Sequence, residues 1–256
     1  MTDVFSSSTL LNGDAPVALI TGGARRIGAT ISQWLHHHQY RVVIHYRHSA
    51  AEAQRLVDHL NGLRPASAAL VQADLHRDDA IAPLVESALS SFGRVDALIN
   101  NASSFYPTPI GEATSAQWDE LMNSNAKAPF FLSQALVPEL RQRRGCIINI
   151  ADIHGSQPLA EHTLYCMAKA ANVMLTQSLA RELAPYVRVN SVAPGAILWP
   201  EQAAELDTSG KQNILARIPL ARLGTPANIA QAVYMLLQND YITGQVLPVD
   251  GGRSLD

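Results

Sequence analysis

Tyr165 and Lys169 stand four residues apart in Tyr165-Cys-Met-Ala-Lys169, and Asp152 precedes the tyrosine by thirteen positions. On a helix, residues at i and i+4 share one face, so the Lys169 ammonium is placed to draw the Tyr165 phenol from its ordinary pKa of about 10 towards neutrality. A phenol tuned in this way is a proton donor, and the lysine can also hold a cofactor ribose. Alone the pair is weak evidence, because surface helices carry Tyr and Lys at this spacing by chance. Its place in the chain, after a strand-like run ending in Ile150-Ala-Asp152, gives it weight.

A second constellation suits a dinucleotide. Thr21-Gly-Gly-Ala-Arg-Arg-Ile-Gly28 lies between a strand-like run and a helical one. There a glycine-rich turn offers backbone N–H groups and a helix N-terminus to a pyrophosphate. Gly22, Arg25, Arg26 and Ile27 are the expected contacts; a bare tight turn would explain Gly22 and Gly28 but not two arginines in the same place. The glycines at 22, 23 and 28 do not spell the strict G-x-G-x-x-G pattern. In such folds a carboxylate at the end of the second strand binds the ribose 2′-hydroxyl of NAD and repels a 2′-phosphate. Here that end reads His45-Tyr46-Arg47-His48-Ser49, with no carboxylate, which favours NADPH over NADH. A solvated polar loop is the competing account of Arg47. Asp74 and Leu75 after the third run, and Asn100-Asn101-Ala102-Ser103 after the fourth, fall on the same carboxyl edge and are expected to line the cofactor.

The elements that must position these groups follow from short apolar, β-branched runs alternating with helical ones. The expected strands are Val17 to Ile20, Arg41 to Tyr46, Ala68 to Gln72, Ala97 to Asn100, Cys146 to Ile150, Val187 to Val192 and Gln245 to Val249. Helices are expected after each of the first six, among them Arg26 to His38, Ala50 to Asn61, Asp79 to Phe92 and about Leu164 to Leu183. This pattern predicts an α/β, Rossmann-type doubly wound fold with a seven-stranded parallel sheet. With 256 residues, 47% of them hydrophobic, and no compositional break, the chain suits one large domain over 15–256. Residues 1–14 read as a loose Ser/Thr/Asn-rich leader, and 194–226 as an insertion over the active site.

A net charge of −3 gives no reason to expect nucleic acid or an anionic membrane as a partner. Nor is there an apolar run long enough to span a bilayer. Two cysteines, Cys146 and Cys166, are too few for a disulfide framework or a zinc cluster and fit a reducing cytosol. His36 to His38 end a helix and face several sides of it, so no metal site is expected.

Taken together, Thr21 to Gly28, Asn100-Asn101-Ala102, Tyr165-x-x-x-Lys169, Pro194-Gly195 and Asp250-Gly-Gly resemble the short-chain dehydrogenase/reductase family over nearly the whole chain. That resemblance implies Tyr165 as proton donor, Lys169 as the residue that orients the nicotinamide ribose, Asn125 as part of a water relay, and Pro194 and Gly195 as cofactor contacts. Where the family usually has a serine, residue 152 is aspartate, and Arg26 replaces a glycine of the cofactor loop. An ionised Asp152 would repel a developing oxyanion, which disfavours ordinary ketone reduction, whereas a protonated or hydrogen-bonded one could donate to a ring nitrogen of a basic heterocycle or accept from an N–H. These departures are similar to the pteridine reductase branch, as are His45-Tyr-Arg-His-Ser49 and Asn100-Asn-Ala-Ser-Ser-Phe105.

By that resemblance, Phe105 stacks on a pterin, Ser103 bonds pterin and cofactor, and Arg26 touches cofactor phosphate and substrate. Asp152 and Tyr165 then supply protons at different ring positions. A pterin or folate substrate, a cytoplasmic setting and a homotetramer are the corresponding expectations. Phe105 as part of a satellite core, and His154 and Trp199 as mere loop structure, are the alternatives at those positions. Two other activities fit the generic features: a carbonyl reductase of 3-oxoacyl type, and a non-catalytic NADP(H)-binding regulator.

Overall fold

Runs such as Val17-Ala-Leu-Ile20 carry no polar side chain and must be covered on both faces. In a computed structural model, which describes residues 15–198 and 208–255, all four of these residues are fully buried. The strands are β1 (Val17–Ile20), β2 (Arg41–Tyr46), β3 (Ala68–Gln72), β4 (Ala97–Asn100), β5 (Cys146–Ile150), β6 (Arg188–Pro194) and β7 (Val246–Val249). They form one seven-stranded sheet in the order β3-β2-β1-β4-β5-β6-β7, with every pair parallel.

The helices are α1 (Arg26–His37), α2 (Ala50–Leu63), α3 (Ile81–Phe92), α4 (Ser115–Met122), α5 (Ala128–Arg143), α6 (Thr163–Leu183), α7 (Thr208–Ala216) and α8 (Pro226–Gln238). Alternate strand residues serve opposite faces. Ala18 and Ile20 join the core under α1, α2 and α8, whereas Val17 and Leu19 join the core under α3, α5 and α6. The architecture is thus the single-domain doubly wound α/β fold expected from the alternation of runs.

Differences from the expected boundaries have local causes. The helix starting near Asp79 begins instead with a 3-10 turn over Asp78–Ala80 before α3. Between β4 and β5 the chain makes two helices joined by a π-turn over Asn123–Lys127, and that turn places Asn125 inside the protein. Strand β6 runs on to Pro194, whose register partner is Val249 of β7. In the 194–226 region α7 is helical, and Ile197, Leu198, Ile214 and Leu223 contribute to the wall of the cleft described below. The leader 1–14, Trp199 and Asp256 lie outside the described residues. Among those described, no helix is long and apolar enough to cross a membrane.

Candidate active site

The crossover at β1–β4 leaves a crevice at the carboxyl edge of the sheet, the position where open α/β sheets bind ligands. A cleft of about 710 Å³ lies there, walled by the β1–α1 turn, the ends of β4, β5 and β6, the start of α6 and the C-terminal segment. Gly22, Arg25, Arg26, Ile27, Asn101, Ala102, Ser103, Phe105, Asp152, Tyr165, Lys169, Pro194 and Gly195 all face it. The cleft therefore gathers most of the residues singled out from sequence.

Its nucleotide end is built from backbone. Gly22 has a φ of +60°, and a Cβ on Gly28 would lie 2.1 Å from the Gly22 carbonyl oxygen, so no side chain fits at 28. Asn101 Nδ2 donates to the carbonyls of Thr21 (2.9 Å) and Gly22 (3.1 Å), and Thr21 Oγ1 accepts from the N–H groups of Asn101 (2.9 Å) and Ala102 (3.0 Å). Arg26 occupies the left-handed region, φ +51°, which costs a non-glycine residue about 1–2 kcal/mol. Such strain is characteristic of functional turns.

His45 departs from expectation. It is buried, accepts from the Gly22 N–H through Nδ1 (3.1 Å) and donates from Nε2–H to the Ala73 carbonyl (3.1 Å). With both ring nitrogens engaged it braces the turn from behind, so its side chain is not available for the cofactor contact expected of the 45–49 segment. Burial pushes its pKa down to about 4 against the opposing pull of the Ala73 hydrogen bond, so the ring is neutral.

Arg47, His48 and Asp74 line a second, smaller cleft of about 350 Å³ at the ends of β2 and β3. Arg47 Nη1 donates to His76 Nδ1 (2.7 Å), a nitrogen that also lies 2.9 Å from Asp74 Oδ1 and serves one of them at a time. Partial burial would raise the Asp74 pKa, but His76 and Arg47 outweigh it and hold the carboxyl below its usual value. Leu75 is buried in the core beneath, while Tyr46 is half-buried and Ser49 precedes α2.

The chemical end is built from side chains. Tyr165, 4% exposed, donates its hydroxyl to Asp152 Oδ2 (2.7 Å), and the other Asp152 oxygen accepts from the His154 N–H (2.9 Å). Lys169, 2% exposed, donates Nζ to the Ile150 carbonyl (2.9 Å) and lies 5.6 Å from the centre of the Tyr165 ring. This corrects the expectation that the lysine draws the phenol towards neutrality. Burial, the Asp152 charge and the Asp152 hydrogen bond all raise the Tyr165 pKa well above 10. Burial pushes the Lys169 ammonium down to about 8, with the Asp152 charge pulling the other way.

Around this pair, Ser103 Oγ donates to Asn125 Oδ1 (2.7 Å), and the Asn125 carbonyl accepts from Asn172 Nδ2 (2.9 Å). Phe105, 44% exposed, stacks on His162 with ring centres 4.7 Å apart and meets Tyr165 edge-on at 4.8 Å. Sequence reasoning missed His162, which stacks on Phe105, and it missed Arg253, which lines the cleft. Neither belongs to a motif; the Asp250-Gly251-Gly252 turn just before Arg253 was the available signal.

Known proteins resemble this chain over nearly its whole length. A family profile described as Enoyl-(Acyl carrier protein) reductase matches residues 22–254. The chain is 38% identical to pteridine reductase 1 of Leishmania tarentolae, over 94% of this chain and 97% of that one. It is 35% identical to a 3-oxoacyl-acyl-carrier-protein reductase of Staphylococcus epidermidis, over 92% and 97%, and 34% identical to a granaticin polyketide synthase ketoacyl reductase of Streptomyces violaceoruber, over 94% and 97%. With its seven-stranded parallel sheet, its glycine turn at the carboxyl edge and a buried Tyr165–Lys169 pair, the chain belongs to the short-chain dehydrogenase/reductase family.

Proposed function

We propose that this oxidoreductase reduces pterins with NADPH, taking a dihydropterin of biopterin or folate type to the tetrahydro form. The observation that carries this reading is the Asp152 carboxylate bonded to Tyr165 at the chemical end. A carboxylate beside the proton donor opposes an oxyanion but suits the N–H groups of a flat heterocycle. Phe105, on the cleft wall and backed by His162, supplies an aromatic face on which such a ring can stack. Pteridine reductase 1 among the relatives supports the same choice.

The site fits NADPH, the cofactor that reductases of this family use. Gly22 and Gly28 keep the β1–α1 turn open to a pyrophosphate, and Arg47 and His48, in the small cleft after β2, would offer donors to a 2′-phosphate, with no carboxylate on the strand end itself. Asp74 accommodates this because its charge is already engaged by His76 and Arg47. When bound, NADPH would supply hydride to a carbon of the C=N bond, and Pro194 and Gly195 of the cleft wall would help to hold it. Tyr165 keeps its proton through neutral pH and delivers it only to a stronger base, such as the nitrogen developing negative charge beside that carbon. Asp152 accepts from the Tyr165 hydroxyl and from ring N–H groups, and Lys169 holds a ribose hydroxyl. Arg26 and Ser103 bridge substrate and cofactor, and Asn125 fixes Ser103.

The reading includes a homotetramer in the cytosol. Phe130 and Phe131 of α5, each 39% exposed, and Met174 of α6, 60% exposed, are consistent with helix faces covered by other subunits.

A second reading, reduction of 3-oxoacyl carbonyls, is favoured by the ketoacyl reductases at 34% and 35% identity. The test is NADPH oxidation with dihydrobiopterin, dihydromonapterin and dihydrofolate beside a 3-oxoacyl thioester. Turnover of a pterin with higher kcat/KM than the thioester is expected. Turnover of the thioester alone would transfer the assignment to carbonyl reduction, and NADPH binding without any turnover would point to a non-catalytic regulator.

A further inference from the structure

Of the charged side chains facing the main cleft, Arg25, Arg26, Lys169 and Arg253 are cationic and Asp152 is the carboxylate. Lys169 donates to the Ile150 carbonyl and is assigned to the cofactor ribose, and Arg25 and Arg26 belong to the phosphate turn. Arg253 is different. Among the described residues, its partly buried guanidinium makes no hydrogen bond or ion pair.

The nearby carboxylates are already engaged. Asp250 accepts the N–H groups of Gly252 (3.0 Å) and Ser254 (2.7 Å), and both Asp152 oxygens have donors. Burial lowers the Arg253 pKa and the like charge of Arg217 lowers it further, while Asp152 and Asp250 act in the opposite direction. A cation partly desolvated beside another cation, with no paired anion, is costly unless a ligand supplies the anion.

The turn that carries Arg253 is also held in place. The Asp250 carboxylate caps the 3-10 turn Arg253–Leu255, and Gln157 Nε2 donates to the Ser254 carbonyl (2.7 Å), tying the turn to the segment that follows Asp152. Sheet order decides which ligand group meets it. Arg25 and Arg26 follow β1, Asp152 follows β5 and Arg253 follows β7, so the order β1-β4-β5-β6-β7 puts Arg253 on the far side of Asp152 from the phosphate turn. Each side is two strands from β5, roughly 10 Å at ordinary strand spacing. The phosphate turn has its own arginines for a pyrophosphate.

We infer that Arg253 is a substrate-specificity residue, binding a carboxylate on the side chain of the ring that is reduced beside Asp152. The inference rests on the pterin reading for the ring and adds the substrate class: pterins whose side chain bears a carboxylate, in preference to neutral hydroxyalkyl pterins.

The experiment compares a dihydropterin carrying a side-chain carboxylate with its primary-alcohol counterpart. Dissociation constants are measured by calorimetry on the NADP⁺-loaded protein, and NADPH oxidation is followed separately, for the natural chain, Arg253→Gln and Arg253→Lys. Arg253→Gln is expected to shift the ratio of the two dissociation constants roughly tenfold against the carboxylate, the size of one lost charge-assisted contact, and Arg253→Lys by less. In the natural chain the carboxylate preference is expected to weaken as salt is raised. An unchanged ratio in Arg253→Gln, or a rise confined to the NADPH KM, would overturn the assignment. A ratio that shifts as expected without NADPH oxidation would retain Arg253 and remove pterin reduction. Failure of both pterins to bind would remove both.

Discussion

At the nucleotide end of the cleft, polar groups of the turn are engaged before any ligand arrives. Asn101 spans two carbonyls, Thr21 accepts two amides, and a neutral His45 closes the back of the turn. At the chemical end, charges are left in tension: a phenol with a raised pKa on a carboxylate, a buried ammonium pushed down to about 8, and an arginine with no partner among the described residues. One end is a preformed cradle whose contribution is shape. The other gathers groups whose proton affinities depart from their ordinary values, as such groups do at reacting centres.

If that division is right, damage to the two ends should separate in kinetics. The largest effect is expected from Tyr165→Phe, which removes the proton donor and leaves the cradle intact. Here kcat should fall on the order of 10²–10⁴-fold while NADPH affinity, read by fluorescence titration, stays within about threefold. Equal losses in both would show that Tyr165 belongs to the cradle as well.

Gly28→Ala should do the reverse. Its Cβ would meet the Gly22 carbonyl at 2.1 Å, so the turn must open and NADPH binding should weaken on the order of a hundredfold. An alanine variant that binds NADPH normally would show the turn to be more pliant than described.

The smallest effect is in stability. His36 and His45 are both held neutral, with pKa values of about 4 against an ordinary 6.5, chiefly by burial. Between these values the unfolded chain binds more protons than the folded one, so their neutral state stabilises the fold fully above about pH 6.5. That stability is lost as pH falls towards 4. Melting temperature should therefore drop between pH 7 and pH 5, and less steeply in His36→Gln, where the hydrogen bond to Ser67 can be kept.

The fold was legible because each signal is local. Buried parallel strands must be apolar throughout, and the runs at 17–20, 41–46 and 146–150 end where the strands do. The cradle was legible for a similar reason, since Gly22 and Gly28 are demanded by contacts within one turn. The chemical end was legible in membership and less so in electrostatics. The i,i+4 spacing puts Tyr165 and Lys169 on one face, but the lysine is captured by the carbonyl of Ile150, nineteen residues away, and the phenol by Asp152. Arg253 lies a hundred and one positions beyond Asp152 and reaches the same cleft only through the order of β5, β6 and β7. No spacing rule carries that information. The buried neutrality of His45 was hidden likewise, because a histidine at a strand end looks the same in sequence whether it faces a ligand or the core.

The central claim is that Asp152 sets the substrate class, and Asp152→Ser tests it most directly. The ratio of kcat/KM for a dihydropterin to that for a 3-oxoacyl thioester is measured in the natural chain and in the variant. Loss of the carboxylate should lower that ratio at least about tenfold, with pterin turnover falling and carbonyl turnover rising. A ratio that stays the same, or shifts towards the pterin, would contradict the account.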